Sequence, residues 1–397
     1  MKKFLTRLCV ILLTVALLCS CTMPALPTIP ETTPTVETQP PLPNLGTDLS
    51  PYPTYDTLSV DDKVIWENIA TAIKNHSTER VHIGSYNTVY EYENAKKRFD
   101  QMYQELVYAH PDYFWVNLYD YTLHTGEEGN TRHLELELHY LLDDATAKSY
   151  NEAYTAKVNE IVTAAKQQPD LFHQVLYVYD TIMANAAYDH DLADNMDIER
   201  VDLSSYGCLV MGNTVCSGYA LAFRSIMTQL GIECGVEFSS YQFLSGWPGH
   251  VWNYCNLDGE YYYFDLTWDD TGFDDDQMRD ILPYSHLFFG ISKADMELAS
   301  YFLNDYSPVP QCNGSAYNYF RQKGLSFETY DYQTVKAVIR EHKDEDVITL
   351  RFDTPAETQK AKADLIDKGR IFDILNSIDG IRYLTPETDL HLILIPD

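Results

Sequence analysis

The sequence predicts an α+β protein whose centre is a helix laid on an antiparallel sheet, with smaller α/β units before and after it. The helix is read from GNTVCSGYALAFRSIMTQLG (212–231), where Tyr219, Ala220, Phe223, Ile226, Met227 and Leu230 recur at helical spacing. Thr214 is placed to cap its start, and Gly231 falls where a left-handed C-cap belongs. The sheet is read from GHVWNYCNLDGEYYYFDLTWDD (249–270), two aromatic and β-branched runs joined through Asp258-Gly259, a dipeptide suited to a two-residue hairpin turn. A third observation is that helical and strand-like patterns alternate in both flanks.

In chain order, residues 1–20 give a basic start (MKKFLTR), an apolar run (LCVILLTVALL) and the ending LCSC. The run is too short for a bilayer span and reads as a secretory signal. Leu18-Cys19-Ser20-Cys21 has the form of a lipoprotein box, so cleavage before Cys21 and lipidation of its thiol are expected, on the outer face of a bacterial membrane. TMPALPTIPETTPTVETQPPLPN then carries seven of the 18 prolines, and residues 21–54 read as an extended tether. Residues 55–150 form an N-terminal α/β module, with helices at 60–75 and 91–109 and strands from HPDYFWVN and HLELELHY. A long polar helix near 144–168 leads into the core, residues 151–310. Residues 311–397 form a C-terminal α+β module from YQTVKAVIREH, VITLRF, PAETQKAKADLIDKG, FDILNSI and DLHLILIP. No internal repeat is evident.

Three residues of the core carry chemistry together. Cys216 falls in the first helical turn, among unpaired N–H groups and the positive end of the helix dipole. With a histidine partner, such surroundings lower a thiol pKa from ~8.5 into a range of about 3.5–7.5. Ser217 and Gly218 are small and are expected to leave the turn open to substrate. If Asp258 and Gly259 make the turn, Leu257 faces Glu260, Trp252 faces Asp265 and His250 faces Thr267. His250 and Asp265 are then diagonal neighbours, with Cα atoms roughly 7–8 Å apart. A carboxylate there holds the imidazole tautomer and leaves the other ring nitrogen for the thiol. Singly, each residue is commonly a buried thiol, a core histidine or an edge charge. Together they describe an activated nucleophile.

The blocks VCSGYA, GHVWN and YFDLTWDD, with Cys216, His250 and Asp265 in that order, resemble the transglutaminase-like superfamily in its bacterial secreted branch. NAAYDHD around Tyr188 and Asp189, and YSHLFFGIS after the aspartate, extend the similarity over roughly residues 170–300. AHPDYFWV also resembles N-terminal regions that accompany this core in bacterial lipoproteins. The resemblance implies a papain-like core, thiolate attack on an amide carbonyl and a thioester intermediate. Water then gives hydrolysis or deamidation, and an amine gives transamidation. The Cys216 N–H is the natural first oxyanion donor, with Tyr206 and Asn213 as candidates for the second. Hydrolysis (a peptidase or amidase) is preferred, because no amine-binding feature stands out. A glutamine cross-linking enzyme and a non-catalytic surface binding protein are the alternatives.

Tyr241, Phe243 and Trp247 in SSYQFLSGWPG are candidates to line the acyl entrance, with core packing an equal reading. A protein or peptide substrate, cell-wall peptides included, a monomeric state and no cofactor are expected. Some transglutaminases use calcium, but DDTGFDDD (269–276) lacks EF-hand spacing and reads as a solvated loop.

Charge and cysteine content narrow the partners. The chain carries 28 basic and 59 acidic residues; residues 1–20 hold Lys2, Lys3 and Arg7 and no acid, so the rest has a net charge of −34. So acidic a body repels nucleic acid and anionic polymers, while solubility alone accounts for the charge. Of eight cysteines, Cys208, Cys234, Cys255 and Cys312 remain once the signal, the anchor and Cys216 are set aside. Outside the cytoplasm they allow two disulfides in three connectivities, and free buried thiols are the preferred reading. GxSxG, HExxH, a glycine-rich phosphate loop and paired CxxC are missing from the sequence, which argues against those chemistries.

Overall fold

The computed structural model describes residues 42–47, 54–195, 199–238, 249–271, 284–299, 310–375, 378–385 and 388–396. The signal, Cys21, most of the tether, and Tyr241, Phe243 and Trp247 lie outside the described residues. No helix among the described residues is long and apolar enough to cross a membrane.

The N-terminal module opens with α1 (Val60–Lys74), whose N-cap Ser59 accepts the Asp62 N–H. Ile65, Trp66, Ile69 and Ile73 recur along one face and are buried. Strand β1 (Val81–Tyr86), absent from the sequence reading, leads to α2 (Val89–Ala109), started by a Thr88/Glu91 capping box. Strands β2 (Val116–Glu128) and β3 (Thr131–Tyr140) complete an antiparallel sheet in the order β1-β3-β2, with Leu134, Leu136 and Leu138 alternating into the core. HPDYFWVN differs from expectation: only Val116 and Asn117 enter a strand. A turn at 110–115 buries Tyr113, Phe114 and Trp115 in succession. The end of the proline-rich stretch is docked too. Leu45 is 1% exposed, its N–H donates to Ile83 O, and the Gly46 N–H donates to Asp62 Oδ1 at 2.7 Å.

Helix α3 (Asp144–Ala165) contains the expected 150/151 boundary in its first turns and buries Tyr154, Val158, Ile161, Val162 and Ala165. There follow α4 (Leu171–Asn185), β4 (Ala187–Tyr188), α5 (His190–Asn195), β5 (Asn213–Thr214) and α6 (Cys216–Gln229). Strands β6 (Cys234–Phe238), β7 (Val251–Leu257) and β8 (Glu260–Phe264) come next, then α7 (Leu266–Thr271), β9 (Phe289–Ile291) and α8 (Lys293–Leu298). The sheet is an antiparallel meander, β6-β7-β8-β9, and α6 packs on β6 and β7. Asp258 (φ 54°) and Gly259 (φ 90°) form the turn between β7 and β8, with Leu257 opposite Glu260. Gly231 (φ 80°) follows α6 in the left-handed region. One apolar cluster runs from Leu45 through α1, α2, α3, α4 and α6 to Phe289.

The C-terminal module has a different centre. Helix α9 (Tyr319–Gln322), β10 (Ser326–Phe327), α10 (Tyr332–Glu341), β11 (Val347–Phe352), α11 (Pro355–Lys362), β12 (Ile378–Leu384) and β13 (Asp389–Pro396) build a sheet in the order β10-β11-β13-β12. Phe320, Val335, Ile339, Ile348, Leu350, Phe352, Leu390 and Leu392 form its own cluster. FDILNSI, expected to continue the helix–strand alternation, begins in a 3-10 turn at Arg370–Asp373, and the strand starts only at Ile378. The described fold is thus mixed α+β with mainly antiparallel sheets, β4–β5 and β10–β11 being the parallel pairs.

Candidate active site

Helix α6 starts where a short parallel bridge delivers it. Tyr188 of β4 pairs with Thr214 of β5, and the Asp189 N–H donates to Thr214 O at 2.8 Å. Thr214 is not the N-cap, because its hydroxyl donates to Asp202 O at 2.6 Å. Val215 takes that place and has no side-chain oxygen to offer the first amides. Cys216 is therefore the first helical residue, partly exposed, packed against the cluster of Tyr108, Ala220, Leu221, Val236 and Val251. Ser217 and Gly218 do not open the turn. The Ser217 hydroxyl is buried on Leu203 O at 2.7 Å, and a Cβ at Gly218 would lie 1.8 Å from Thr214 Oγ1. Their small size serves close packing of the turn.

His250 lies just before β7 and Asp265 just after β8, each at the edge of its strand. The two meet through His250 Nε2 and Asp265 Oδ2 at 2.6 Å. The hairpin register holds through Asn253↔Phe264, but the chain then turns into α7, so Thr267 is helical and does not face His250 across a ladder. Asp265 is 1% exposed, and its Oδ1 accepts the Trp268 N–H at 3.2 Å. One carboxylate thus caps α7 and orients the imidazole.

The Nε2–Asp265 bond leaves Nδ1 as the other ring nitrogen, and the Cys216 thiol is a hydrogen-bond partner of the ring. Burial alone would discharge His250. The charge and hydrogen bond of Asp265, with the thiol, outweigh it and hold the imidazolium up to about 10. Trp252 stacks on the ring at 5.8 Å, and Trp268, 47% exposed, meets it edge-on at 6.0 Å.

Helix α7 is itself clamped. The Asp269 carboxylate accepts the Tyr179 hydroxyl at 2.6 Å, the Ser285 hydroxyl and the Phe288 N–H. Burial nevertheless pushes Asp269 up to about 6. Asp270 accepts the Tyr219 hydroxyl of α6. His286 pairs with Asp180 at 2.7 Å and stacks on Tyr319 at 4.2 Å. The start of DDTGFDDD is thus helical and engaged rather than a solvated loop, and YSHLFFGIS is its counterpart; residues 272–276 lie outside the described residues. Among the described residues no three His, Cys, Asp or Glu side chains converge as a metal site.

Of the two upstream donor candidates, only Asn213 has its side-chain donor bonded elsewhere. Tyr206 is sandwiched by Phe114 at 4.8 Å and Tyr150 at 4.6 Å, and the Asn213 amide donates to Asp189. One residue at the site escaped the sequence reading as a site residue: Trp268, hidden in a run read as strand. Cys208, Cys216, Cys234, Cys255 and Cys312 are all free thiols.

No family model and no curated protein matches the chain. Among solved structures it is similar to a TGase (transglutaminase) at 15% identity and a TM-score of 0.27, over 43% of this chain and 49% of that one. A candidate cysteine protease from Cytophaga hutchinsonii is matched at 13% identity and a TM-score of 0.22, over 37% of this chain and 62% of that one. A candidate protease from Parabacteroides distasonis is matched at 11% identity and a TM-score of 0.21, over 36% of this chain and 35% of that one. The chain spans less than two thirds of the length of each of these structural neighbours.

Proposed function

We propose that the protein is a thiol enzyme acting on amide bonds of a protein or peptide through a thioester on Cys216, held outside the membrane by a lipidated Cys21. The observation that carries this reading is the His250–Asp265 hydrogen bond at 2.6 Å, made while the same ring partners the thiol at the head of α6. Cys216 Sγ attacks the carbonyl carbon, and the carbonyl electrons move to oxygen beside the Cys216 N–H. His250, charged, gives its proton to the leaving amine, then takes one from the water that cleaves the thioester. Asp265 keeps the ring oriented and supports its charge in both steps. Hydrolysis is the favoured outcome, since water is abundant where the chain is expected to sit.

The test is alkylation of the full chain with iodoacetamide across pH. Labelling at Cys216 is expected to be fast already near ~6 and to be lost in Cys216→Ala. In His250→Ala it should follow an ordinary thiol, with a midpoint near ~8.5. A wild-type profile no different from that of His250→Ala would remove the thiolate–imidazolium pair and the enzyme reading with it. Incorporation of a labelled primary amine into a glutamine peptide would replace hydrolysis by transamidation.

A further inference from the structure

Cys234 opens β6 and Cys255 lies in β7, and the ladder between the two strands sets them directly opposite each other. We propose that this pair closes to a cross-strand disulfide that ties β6 to β7, a covalent link separate from the chemistry at Cys216. The inference rests on the function proposed above only for the oxidising surroundings outside the membrane.

The backbone fixes the spacing. The Asn256 N–H donates to Glu233 O at 2.9 Å, so Glu233 and Asn256 occupy a hydrogen-bonded position of the antiparallel ladder. Such positions alternate, so the next one, Cys234 with Cys255, is not hydrogen-bonded. There the Cα atoms stand about 4.5 Å apart and the side chains are at their closest. That spacing lies within the range of roughly 4.4–6.8 Å that a disulfide spans. Opposite residues of a ladder point to one face, and both cysteines belong to the cluster that α6 also enters. The Cys234 thiol is a hydrogen-bond partner of Cys255, and both are free. The other buried thiols are placed elsewhere. Cys312 packs with Trp252, Tyr263 and Met296 in a separate cluster, and Trp252, three residues from Cys255, points to the other face of the sheet. Cys208 lies in the helical turn Gly207–Met211, before α6.

The step needs an oxidant, and a small-molecule or protein disulfide supplies it. Cys234 is the point of entry: β6 ends the order β6-β7-β8-β9, and Cys234 is 7% exposed against 0% for Cys255. The Cys234 thiolate attacks the oxidant, binding one of its sulfurs and releasing the other as a thiol. Cys255 is kept protonated by its burial and by the facing thiol. It gives up that proton as its sulfur attacks Cys234 Sγ, and the second thiol leaves. The protein loses two electrons and two protons, and the oxidant is reduced to two thiols. His250 falls within residues 234–255, the loop that the bond closes, while Cys216 lies outside it.

The test is oxidation of the full chain carrying Cys216→Ala, which keeps the nucleophile out of the exchange, with oxidised glutathione. Free thiols are then blocked with iodoacetamide. A glutamyl endopeptidase cuts after Glu233, Glu237 and Glu260, so residues 234–237 and 238–260 separate unless a disulfide joins them. The two peptides are expected to stay joined and to part with dithiothreitol. The oxidised chain should melt roughly 5 °C above the reduced one, and Cys234→Ala should remove that difference. Blocked thiols on both peptides, a glutathione adduct on Cys234 without closure, or a bond from Cys255 to Cys312 would overturn the proposal. Equal melting of the joined and reduced chains would overturn the tie between β6 and β7. All these outcomes leave the thiol enzyme standing, since that is read by alkylation of Cys216 in the wild-type chain. Failure of that alkylation in turn leaves the peptide result unchanged.

Discussion

The two flanking modules both lay helices on mainly antiparallel strands, with β10 parallel to β11 in the C-terminal one, yet they join the centre of the molecule differently. Phe99, Met102, Tyr103 and Leu106 of α2 belong to the same buried cluster as Tyr219, Phe223 and Ile226 of α6. Helix α3 is the joint: Val158 and Ile161 lie in that cluster, and the Tyr154 hydroxyl donates to Ser225 of α6 at 2.7 Å. The C-terminal sheet instead closes over its own cluster and reaches the body through polar contacts and a few partly buried side chains, Leu287 packing on that cluster and Tyr319 on both clusters. Arg351 of β11 donates to Leu287 O at 3.0 Å and to Asp295 at 3.1 Å, and Tyr319 stacks on His286. Apolar packing is cooperative, since each side chain fills space left by its neighbours, whereas a few polar contacts can part without emptying a core. The site therefore depends on the N-terminal module more than on the C-terminal one.

Phe99→Ala is the strongest way to break this comparison. Phe99 is 0% exposed and packs on Tyr103 and Tyr121, far from Cys216 in sequence. Its truncation should cost about 3–5 kcal/mol and lower the main melting transition. Iodoacetamide labelling of Cys216 should lose its fast phase at the same temperature as the bulk signal. A fast phase outlasting that transition would make the N-terminal module an independent unit.

Arg351→Met sharpens the other side. It leaves Asp389, 6% exposed, buried beside an uncharged neighbour, a change that costs about 3–5 kcal/mol at most sites. Protonation of Asp389, already favoured by its burial, recovers part of that. The C-terminal module should exchange its amide protons faster, while labelling of Cys216 keeps its wild-type rate. Equal loss in both regions would mean that they unfold as one.

The same contrast explains what could be read from the sequence. Local signals were legible: the Asp258-Gly259 turn, the apolar stripe of α6 and the helices of the N-terminal module all depend on neighbours within a few residues. Where two local rules competed, the reading failed. DLTW is β-prone by composition, but Asp265 also stands three residues before the Trp268 N–H it caps, and the helix won. Tyr113, Phe114 and Trp115 look like a strand, yet all three are buried in a turn, which alternation cannot express. The pairing of Tyr188 with Thr214 was beyond any local rule, since it is a two-residue bridge to a segment 26 residues away. The pairing of His250 with Asp265 was legible because one hairpin carries both.

Two histidines give the comparison its pH dependence. His391 of β13 is 0% exposed, with Nδ1 on the Thr349 hydroxyl at 2.8 Å, and burial pushes it down to about 4. Between pH 6.5 and 4 the unfolded chain takes up a proton that folded His391 refuses, so stability falls with pH by about 3 kcal/mol in all. His250 has the opposite sign. Its folded value of about 10 lies above 6.5, so its contribution is complete below 6.5 and is lost only as pH rises through about 10. Mild acid should thus loosen the C-terminal module while leaving the imidazolium at the site in place. Hydrogen exchange at pH 7 and pH 5 would read this as a selective rise in β11 and β13. His391→Gln should flatten that rise, because a neutral amide has no proton to take up. If the slope survives the substitution, the acid sensitivity does not belong to His391, and the two modules differ in packing but not in charge.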